Sequence, residues 1–223
     1  MTIATRLVRP SFLSAVLSAV SSVAAADPVA APVSGSDAAP VSSPRHGAGD
    51  KGVFVTLKVG GLVPFSALGA NATGGLDVGY ALANGFAFGL AADYAQPTAE
   101  GSEVDARVAG GTYAWKLTEQ LVQVMPFALY RLRTLGALVP YAGIGPRMYL
   151  QRSTVKGVAP AFGETTEQAT AFGVGVPLGA EFALGPGAAT AELLLQYGGL
   201  DHTITGTSNS GAASLALGYR MMF

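Results

Sequence analysis

The last ten residues of the chain alternate strictly between two kinds of side chain. One row is wholly apolar, and its members are Leu215, Leu217, Tyr219, Met221 and Phe223. The row between them, from Ser214 to Met222, carries small residues, a methionine and the charge of Arg220. Because successive side chains of a strand point to opposite faces, this pattern predicts a strand with one fully apolar face.

The composition limits where such a strand can lie. Hydrophobic residues make up 50% of the 223 residues and charged residues only 12%, about half the charged share of a soluble domain. Beyond the N-terminus no run of 18 apolar residues predicts a membrane helix. A membrane chain without helical spans must close its backbone hydrogen bonds in a barrel. A net charge of −1 gives no reason to expect nucleic acid, and the absence of cysteine excludes disulfides and thiolate metal sites.

The N-terminus has the layout of an export signal. Arg6 and Arg9 precede an apolar stretch, and Ala24-Ala25-Ala26 supplies small residues before Asp27, so residues 1–26 are predicted to be a cleaved signal peptide. An uncleaved anchor helix is the alternative. Residues 27–50 are rich in Ala, Pro and Ser and are predicted to be a disordered linker. Residues 51–223 remain for the barrel.

Alternation of apolar residues marks eight strands in this region. They are expected at about 52–63, 74–83, 86–94, 122–132, 139–151, 168–184, 188–197 and the closing segment. Short turns are expected at Asn84-Gly85, around Leu135, and at 185–187. Longer loops are expected at 64–73, 96–121, 152–167 and 200–211. The segment 104–117 also looks strand-like, and counting it as a span would give nine. Since bacterial barrels have even strand numbers, we interpret it as loop or as strand continuing above the membrane.

These features resemble the small outer-membrane β-barrel proteins of the OmpA/OmpX/OmpW type. The resemblance rests on the closing strand with its terminal Phe223 and on Val139-Pro140-Tyr141-Ala142-Gly143-Ile144-Gly145, which is similar to a Pro-Tyr-x-Gly-x-Gly strand of such barrels. It implies an all-β fold, an eight-stranded antiparallel up-and-down transmembrane β-barrel in the bacterial outer membrane. It also implies that the apolar row of the closing strand serves as an assembly signal for the barrel-assembly machinery.

Charged residues opposite the apolar rows are expected to face the barrel interior. They are Lys58, Asp77, Asp93, Arg131, Arg147, Glu181, Glu192 and Arg220, four of each sign. An eight-stranded barrel has room only for its own side chains, so these charges should pair as a plug. We expect Glu192 to pair with Arg220, with Lys58 joining them. A gated ion path is the alternative interpretation.

Aromatic residues fall near the expected strand ends more often than near the centres. They are Tyr80, Phe86, Tyr94, Tyr130, Phe182, Tyr197, Tyr219 and Phe223. This distribution is typical of the aromatic girdles of membrane barrels, although aromatic residues also favour strands in general.

The sequence offers no catalytic, cofactor-binding or metal-binding residues. Its two histidines are His46, in the linker, and His202, in the last loop. Lipid A deacylases of this size class use a His-x-Ser motif, but His202 is followed at the second position by Ile204. The glycines of 173–179 lie within a strand and lack the helix that a phosphate loop requires. The charged loop 96–121 is interpreted as a solvated surface.

We therefore expect a non-enzymatic outer-membrane protein with a structural or loop-mediated role. Its partners would be outer-membrane lipid and the assembly machinery, and it would be a monomer. A narrow pore for small solutes is the alternative, and a lipid-modifying enzyme or a soluble β-sandwich is less favoured.

Overall fold

The structure, a computed structural model, describes residues 51–66, 68–107, 109–132, 137–159, 163–199 and 209–223. The signal peptide, the linker, both histidines and the turn expected around Leu135 lie outside these residues. The described residues form nine antiparallel strands. They are β1 (Gly52–Pro64), β2 (Asn71–Ala81), β3 (Phe86–Ala95), β4 (Thr98–Val104), β5 (Thr112–Arg131), β6 (Leu138–Ala159), β7 (Glu164–Leu184), β8 (Gly187–Gly198) and β9 (Ala212–Met222).

Eight of these strands close into a barrel. Around this ring each strand pairs with the next in chain order, except that β3 pairs with β5 and not with β4. The first strand pairs with the last, with Thr56 opposite Arg220. Strand β4 stands outside this ring and pairs only with the beginning of β5, from Thr98 opposite Thr118 to Val104 opposite Thr112. The eight-stranded antiparallel barrel predicted from the sequence is therefore confirmed.

An apolar belt covers the outside of the barrel. Along the strands of the ring, exposed large side chains such as Leu57, Ile144 and Leu217 alternate with buried ones, as a lipid-facing surface requires. On three neighbouring strands the outward row turns polar abruptly. The changes run from Val122 to Gln120, from Leu150 to Arg152, and from Phe172 to Thr170. This boundary marks the upper edge of the belt.

Three strands of the ring continue far beyond the belt and, with β4, form what we call the raised wall. It consists of β4 together with residues 112–120 of β5, 151–159 of β6 and 164–171 of β7. The loops expected at 96–121 and 152–167 are thus mostly strand. Of the two interpretations of 104–117, strand above the membrane is correct for residues 112–117. The prediction of loops is wrong because it limits strand length to the bilayer thickness, whereas the hydrogen bonds between paired strands continue in water.

Tight turns join the strands at the opposite end. The turn predicted at Asn84-Gly85 is present, and Gly85 has a φ of 92°, which a residue with a side chain rarely adopts. The carbonyl of Arg131, at the end of the adjacent strand β5, is 2.8 Å from where a Cβ would lie. A similar turn at Gly185, with a φ of 61°, joins β7 to β8. These turns fix the register of the strands they connect.

Most of the predicted girdle aromatics surround the short-turn end. Six of the eight lie there on the outward rows, namely Tyr80, Phe86, Tyr130, Phe182, Tyr219 and Phe223. The rings of Phe86 and Tyr130 are 4.9 Å apart. Tyr94 and Tyr197 lie on the outward rows near the opposite ends of β3 and β8.

Candidate functional site

The charged residues expected inside the barrel all lie on its inward rows. Seven of the eight are buried, and the side chain of Asp93 is 11% exposed. They lie in two groups at different heights. The lower cluster, nearer the short turns, comprises Arg131, Glu181 and Arg220, and the middle cluster comprises Lys58, Asp77, Asp93, Arg147 and Glu192.

Glu181 holds the lower cluster together. One of its carboxylate oxygens accepts a hydrogen bond from Arg131 Nη2 at 3.0 Å, and the other accepts from Arg220 Nη1. Arg220 also donates through Nε to Thr56 Oγ1 at 2.8 Å and lies over the Phe54 ring, 4.4 Å from its centroid. Planar guanidinium groups suit such a site because they bind carboxylates and aromatic faces at once.

Lys58 holds the middle cluster together. Its ammonium lies 2.9 Å from Asp77 Oδ1, 3.0 Å from Glu192 Oε1 and 3.8 Å from Asp93 Oδ1. The second oxygen of Glu192 accepts a hydrogen bond from Tyr141 Oη at 3.0 Å. Asp93 is shared with Arg147, whose Nη2 lies 2.7 Å away from its Oδ2. Three carboxylates thus surround two cations, while the lower cluster has two cations and one carboxylate.

The pairing expected between Glu192 and Arg220 is wrong. In the β8–β9 ladder Arg220 lies opposite Ala188, whereas Glu192 lies opposite Ala216, four residues away along β9. Four residues of strand span about 13 Å, beyond the reach of an ion pair. Glu192 instead binds Lys58, and Arg220 binds Glu181 across the lumen. The part of the expectation that joined Lys58 to Glu192 agrees with the structure.

The open space beside the middle cluster is small. Cavities of about 10 Å³ each lie beside Lys58, one toward Asp93 and Arg147 and the other toward Asp77 and Pro177. A single water molecule needs about 10–15 Å³. Cavities of this size do not admit a hydrated ion. The arrangement therefore fills the lumen around Lys58 and, with partners on all eight strands of the ring, connects them across the interior.

A further carboxyl lies at the mouth of the lumen, above the apolar belt. Glu119 is only 4% exposed, and its backbone N–H donates to the Pro97 carbonyl at 2.9 Å. Burial raises the pKa of Glu119 to about 7, against the opposing influence of the neighbouring Gln151 and Ser153 side chains. Glu119 and Gln151 border a cavity of about 20 Å³ beneath the loops.

Sequence reasoning missed Glu119 and several polar partners of the two clusters. The sequence prediction places Glu119 in a solvated loop, although it has the same parity as Arg131 on one continuous strand. Thr56 and Tyr141 have the parity of Lys58 and Arg147, but the predicted interior set contains only charged residues. All three residues can be found from the sequence if every polar residue at an inward-facing strand position is considered, along the whole length of each strand.

No helix among the described residues is long and apolar enough to cross a membrane. Within the same residues, no group of three or more His, Cys, Asp or Glu side chains is placed to hold a metal ion.

Comparison with known proteins agrees with this architecture. Residues 12–221 match the model of the outer membrane protein beta-barrel domain family. No curated protein matches the chain. Among solved structures, a major outer membrane protein from Thermus thermophilus is similar, with a TM-score of 0.50 and 15% identity, covering 77% of this chain and 99% of that one.

Two further structures of bacterial outer-membrane proteins are similar over most of their length. Neisserial surface protein A has 22% identity and a TM-score of 0.49, covering 77% of this chain and 97% of its own. OprG from Pseudomonas aeruginosa has 13% identity and a TM-score of 0.47, covering 79% and 99%. The family match spans most of the sequence, from residue 12 to residue 221. The chain therefore belongs to the outer membrane protein beta-barrel domain family, whose members are barrels of the bacterial outer membrane.

Proposed function

We propose that the protein is a non-enzymatic, monomeric barrel with a plugged lumen, which acts by presenting its raised wall outside the membrane. The observation that carries this proposal is the pairing of all eight interior charges around cavities of water size. A pore would need a continuous polar path, whereas these side chains bind one another across it. The barrel is then an anchor, and its contribution to the cell envelope comes from the surface it supports.

The raised wall supplies such a surface. Most of its outward side chains are polar or charged, from Gln120, Arg152 and Gln168 at the belt to Lys116, Lys156 and Glu164 further out. Lys116 of β5 pairs with Glu100 of β4 at 2.7 Å, which connects the two strands of the outer hairpin, residues 98–118. Because bacterial barrels have short turns on the periplasmic side, this wall faces the exterior. Regular strand pairing makes it a firmer platform than an open loop.

The plugged lumen predicts a silent barrel. The full chain, produced in outer membranes and purified in detergent, should show no steady conductance in a planar bilayer, because its interior charges have no mobile counter-ions to exchange. The triple variant in which Lys58, Asp77 and Glu192 become serine is the matched control, and it should conduct, since three side chains that fill the middle of the lumen are gone.

Both proteins should first show a heat-dependent shift in gel mobility, which reports a folded barrel. Reproducible current steps from the unmodified chain would favour the narrow pore instead. Activity on lipid is a separate alternative, and mass analysis of lipid A after incubation, with a His202→Ala control, distinguishes it. A modified lipid that depends on His202 would replace the non-enzymatic proposal.

We also propose that the closing strand is the segment read by the assembly machinery. Phe223 is 75% exposed on the outward row of β9 and completes the seam through backbone hydrogen bonds with Val53. Phe223→Ser should lower the amount of heat-shifted barrel in cell membranes severalfold, while the purified chain still refolds in detergent. Phe172→Ser is the matched control, because Phe172 is 72% exposed but lies on β7. Equal losses for the two variants would contradict a specific signal.

A further inference from the structure

A depression of about 380 Å³ lies on the outside of the barrel, where the apolar belt meets the raised wall. Its lower part is formed by the Tyr94 ring with Val122 and Leu150, and its upper part by Gln120, Arg152 and Gln168. The depression is therefore apolar toward the membrane and polar toward the exterior. Such a surface is complementary to a lipid, which has apolar acyl chains and a polar headgroup.

The strand register places the polar residues on one level. Gln120 lies opposite Arg152, and Arg152 lies opposite Gln168, on three adjacent strands. Neighbouring strands are about 4.8 Å apart, so two amide side chains flank one guanidinium within reach of a single small group. One repeat further out, Thr118, Thr154 and Thr166 form the same kind of row, with Thr154 Oγ1 and Thr166 Oγ1 3.2 Å apart.

Arg152 is not paired with a carboxylate among the described residues, whereas Arg107, Arg147 and Arg220 are. Arg147 and Arg220 bind carboxylates inside the barrel, and Arg107 binds Asp105. Among the described residues, no carboxylate lies within ion-pair distance of Arg152, whose side chain is exposed. A cation at this height, above Leu150 and beside no acid, is complementary to an anion carried by the membrane surface.

We propose that Gln120, Arg152 and Gln168 bind the phosphate of a phosphorylated glycolipid in the outer leaflet. The guanidinium takes the phosphate oxygens, and the two amides donate to the same group or to its ester oxygens. An acyl chain lies below, over Val122 and Leu150. The threonine row above offers hydroxyls to sugar, which favours a saccharide headgroup over a small phospholipid headgroup. The site is on the outer face, so it does not depend on whether the lumen conducts.

Binding of defined lipids tests this site. The full chain in detergent is titrated with diphosphorylated lipid A, with dephosphorylated lipid A and with phosphatidylglycerol, and bound lipid is counted by native mass spectrometry. The diphosphorylated lipid should bind in preference to the other two. Arg152→Gln should weaken its binding by about tenfold, as expected for loss of hydrogen bonds to a charged group. Arg152→Lys should retain part of the affinity, since the charge remains without the bidentate geometry.

Lys156→Gln is the matched control, because Lys156 lies four residues further along the same outward row of β6. It should bind the diphosphorylated lipid as the unmodified chain does. Unchanged binding by Arg152→Gln would overturn the site, and equal loss in Lys156→Gln would replace it with diffuse charge attraction. Equal binding of phosphatidylglycerol would overturn the glycolipid assignment. Both substituted residues, Arg152 and Lys156, are exposed on the surface. Heat-shifted gel mobility verifies that each variant barrel is folded.

Discussion

Glu181→Gln should lower the free energy of unfolding by about 3–5 kcal/mol, the usual effect of removing one partner from a buried ion pair. Glu181 is 1% exposed and serves Arg131 and Arg220 together. The amide that replaces it is neutral, so the two guanidinium groups lose the carboxylate they share. Urea unfolding of the barrel refolded into lipid vesicles, followed by tryptophan fluorescence or gel mobility, measures the change.

Glu100→Gln is the matched control for this loss. It removes the same charge from the ion pair with Lys116, but there the carboxyl side chain is 67% exposed. Exposed pairs contribute about 0–1 kcal/mol, so the control should stay close to the unmodified protein. A loss at Glu181 no larger than at Glu100 would mean that water enters the lower cluster and that the lumen is not plugged.

A double-mutant cycle tests which carboxylate binds Arg220. Combining Arg220→Gln with Glu181→Gln should give a coupling energy of more than about 1 kcal/mol, because the two side chains are in contact. Combining it with Glu192→Gln should give nearly additive effects, because Glu192 binds Lys58 instead. The reverse result would restore the pairing that the sequence alone predicted.

Raising the pH from 4.5 to 7.5 should destabilise the protein by roughly 3 kcal/mol through Glu119 alone, at 1.36 kcal/mol for each unit of pKa shift. Burial raises the pKa of Glu119 from 4.5 to about 7. Between these values the folded protein keeps a proton that the unfolded chain releases, so ionisation favours unfolding. The stability difference is absent below the unfolded pKa, grows across this interval and is constant above the folded pKa.

Glu119→Gln should remove this part of the pH dependence, because the amide does not ionise. The quantity to measure is the difference between variant and unmodified protein in urea unfolding at several pH values, which cancels the contributions of other groups. Glu103→Gln, on the exposed outer hairpin, is the control and should leave the pH profile unchanged. Parallel profiles for the Glu119 variant and the unmodified protein would show that Glu119 is hydrated at the mouth.

The alternation of side chains predicts the individual strands and the inward position of their charges, and each of these conclusions needs only the sequence of one strand at a time. The barrel and its strand number needed more, namely the low charge content without helical spans and the even strand count of bacterial barrels. The partners of the charges depend on register between strands. Where a short turn such as that at Gly185 joins two strands, the register follows from the turn. Arg220 and Glu192 lie on strands joined by a long connection, so their relative height could not be read from the sequence.

The raised wall was not predicted from the sequence, for a different reason. The predicted strands end where the bilayer thickness ends, although the alternation itself continues through Leu117, Glu119 and Leu121 on the inward row. The polar outward residues above Val122 are typical of a loop. In the structure they mark the level at which the same strand leaves lipid and enters water. A change of solvent on one face therefore does not indicate the end of a strand.

Except for the pair between Lys58 and Asp77, the interior ion pairs connect strands that are not neighbours in the ladder. Lys58 on β1 reaches past β9 to Glu192 on β8, and Arg220 on β9 reaches past β8 to Glu181 on β7. Separation of the first and last strands would break the ion pair between Lys58 and Glu192 together with the backbone hydrogen bonds between β1 and β9. It would also leave these charged side chains without partners inside the membrane. The free-energy cost per residue is therefore higher for partial opening than for complete unfolding. We expect the barrel to unfold in one cooperative step.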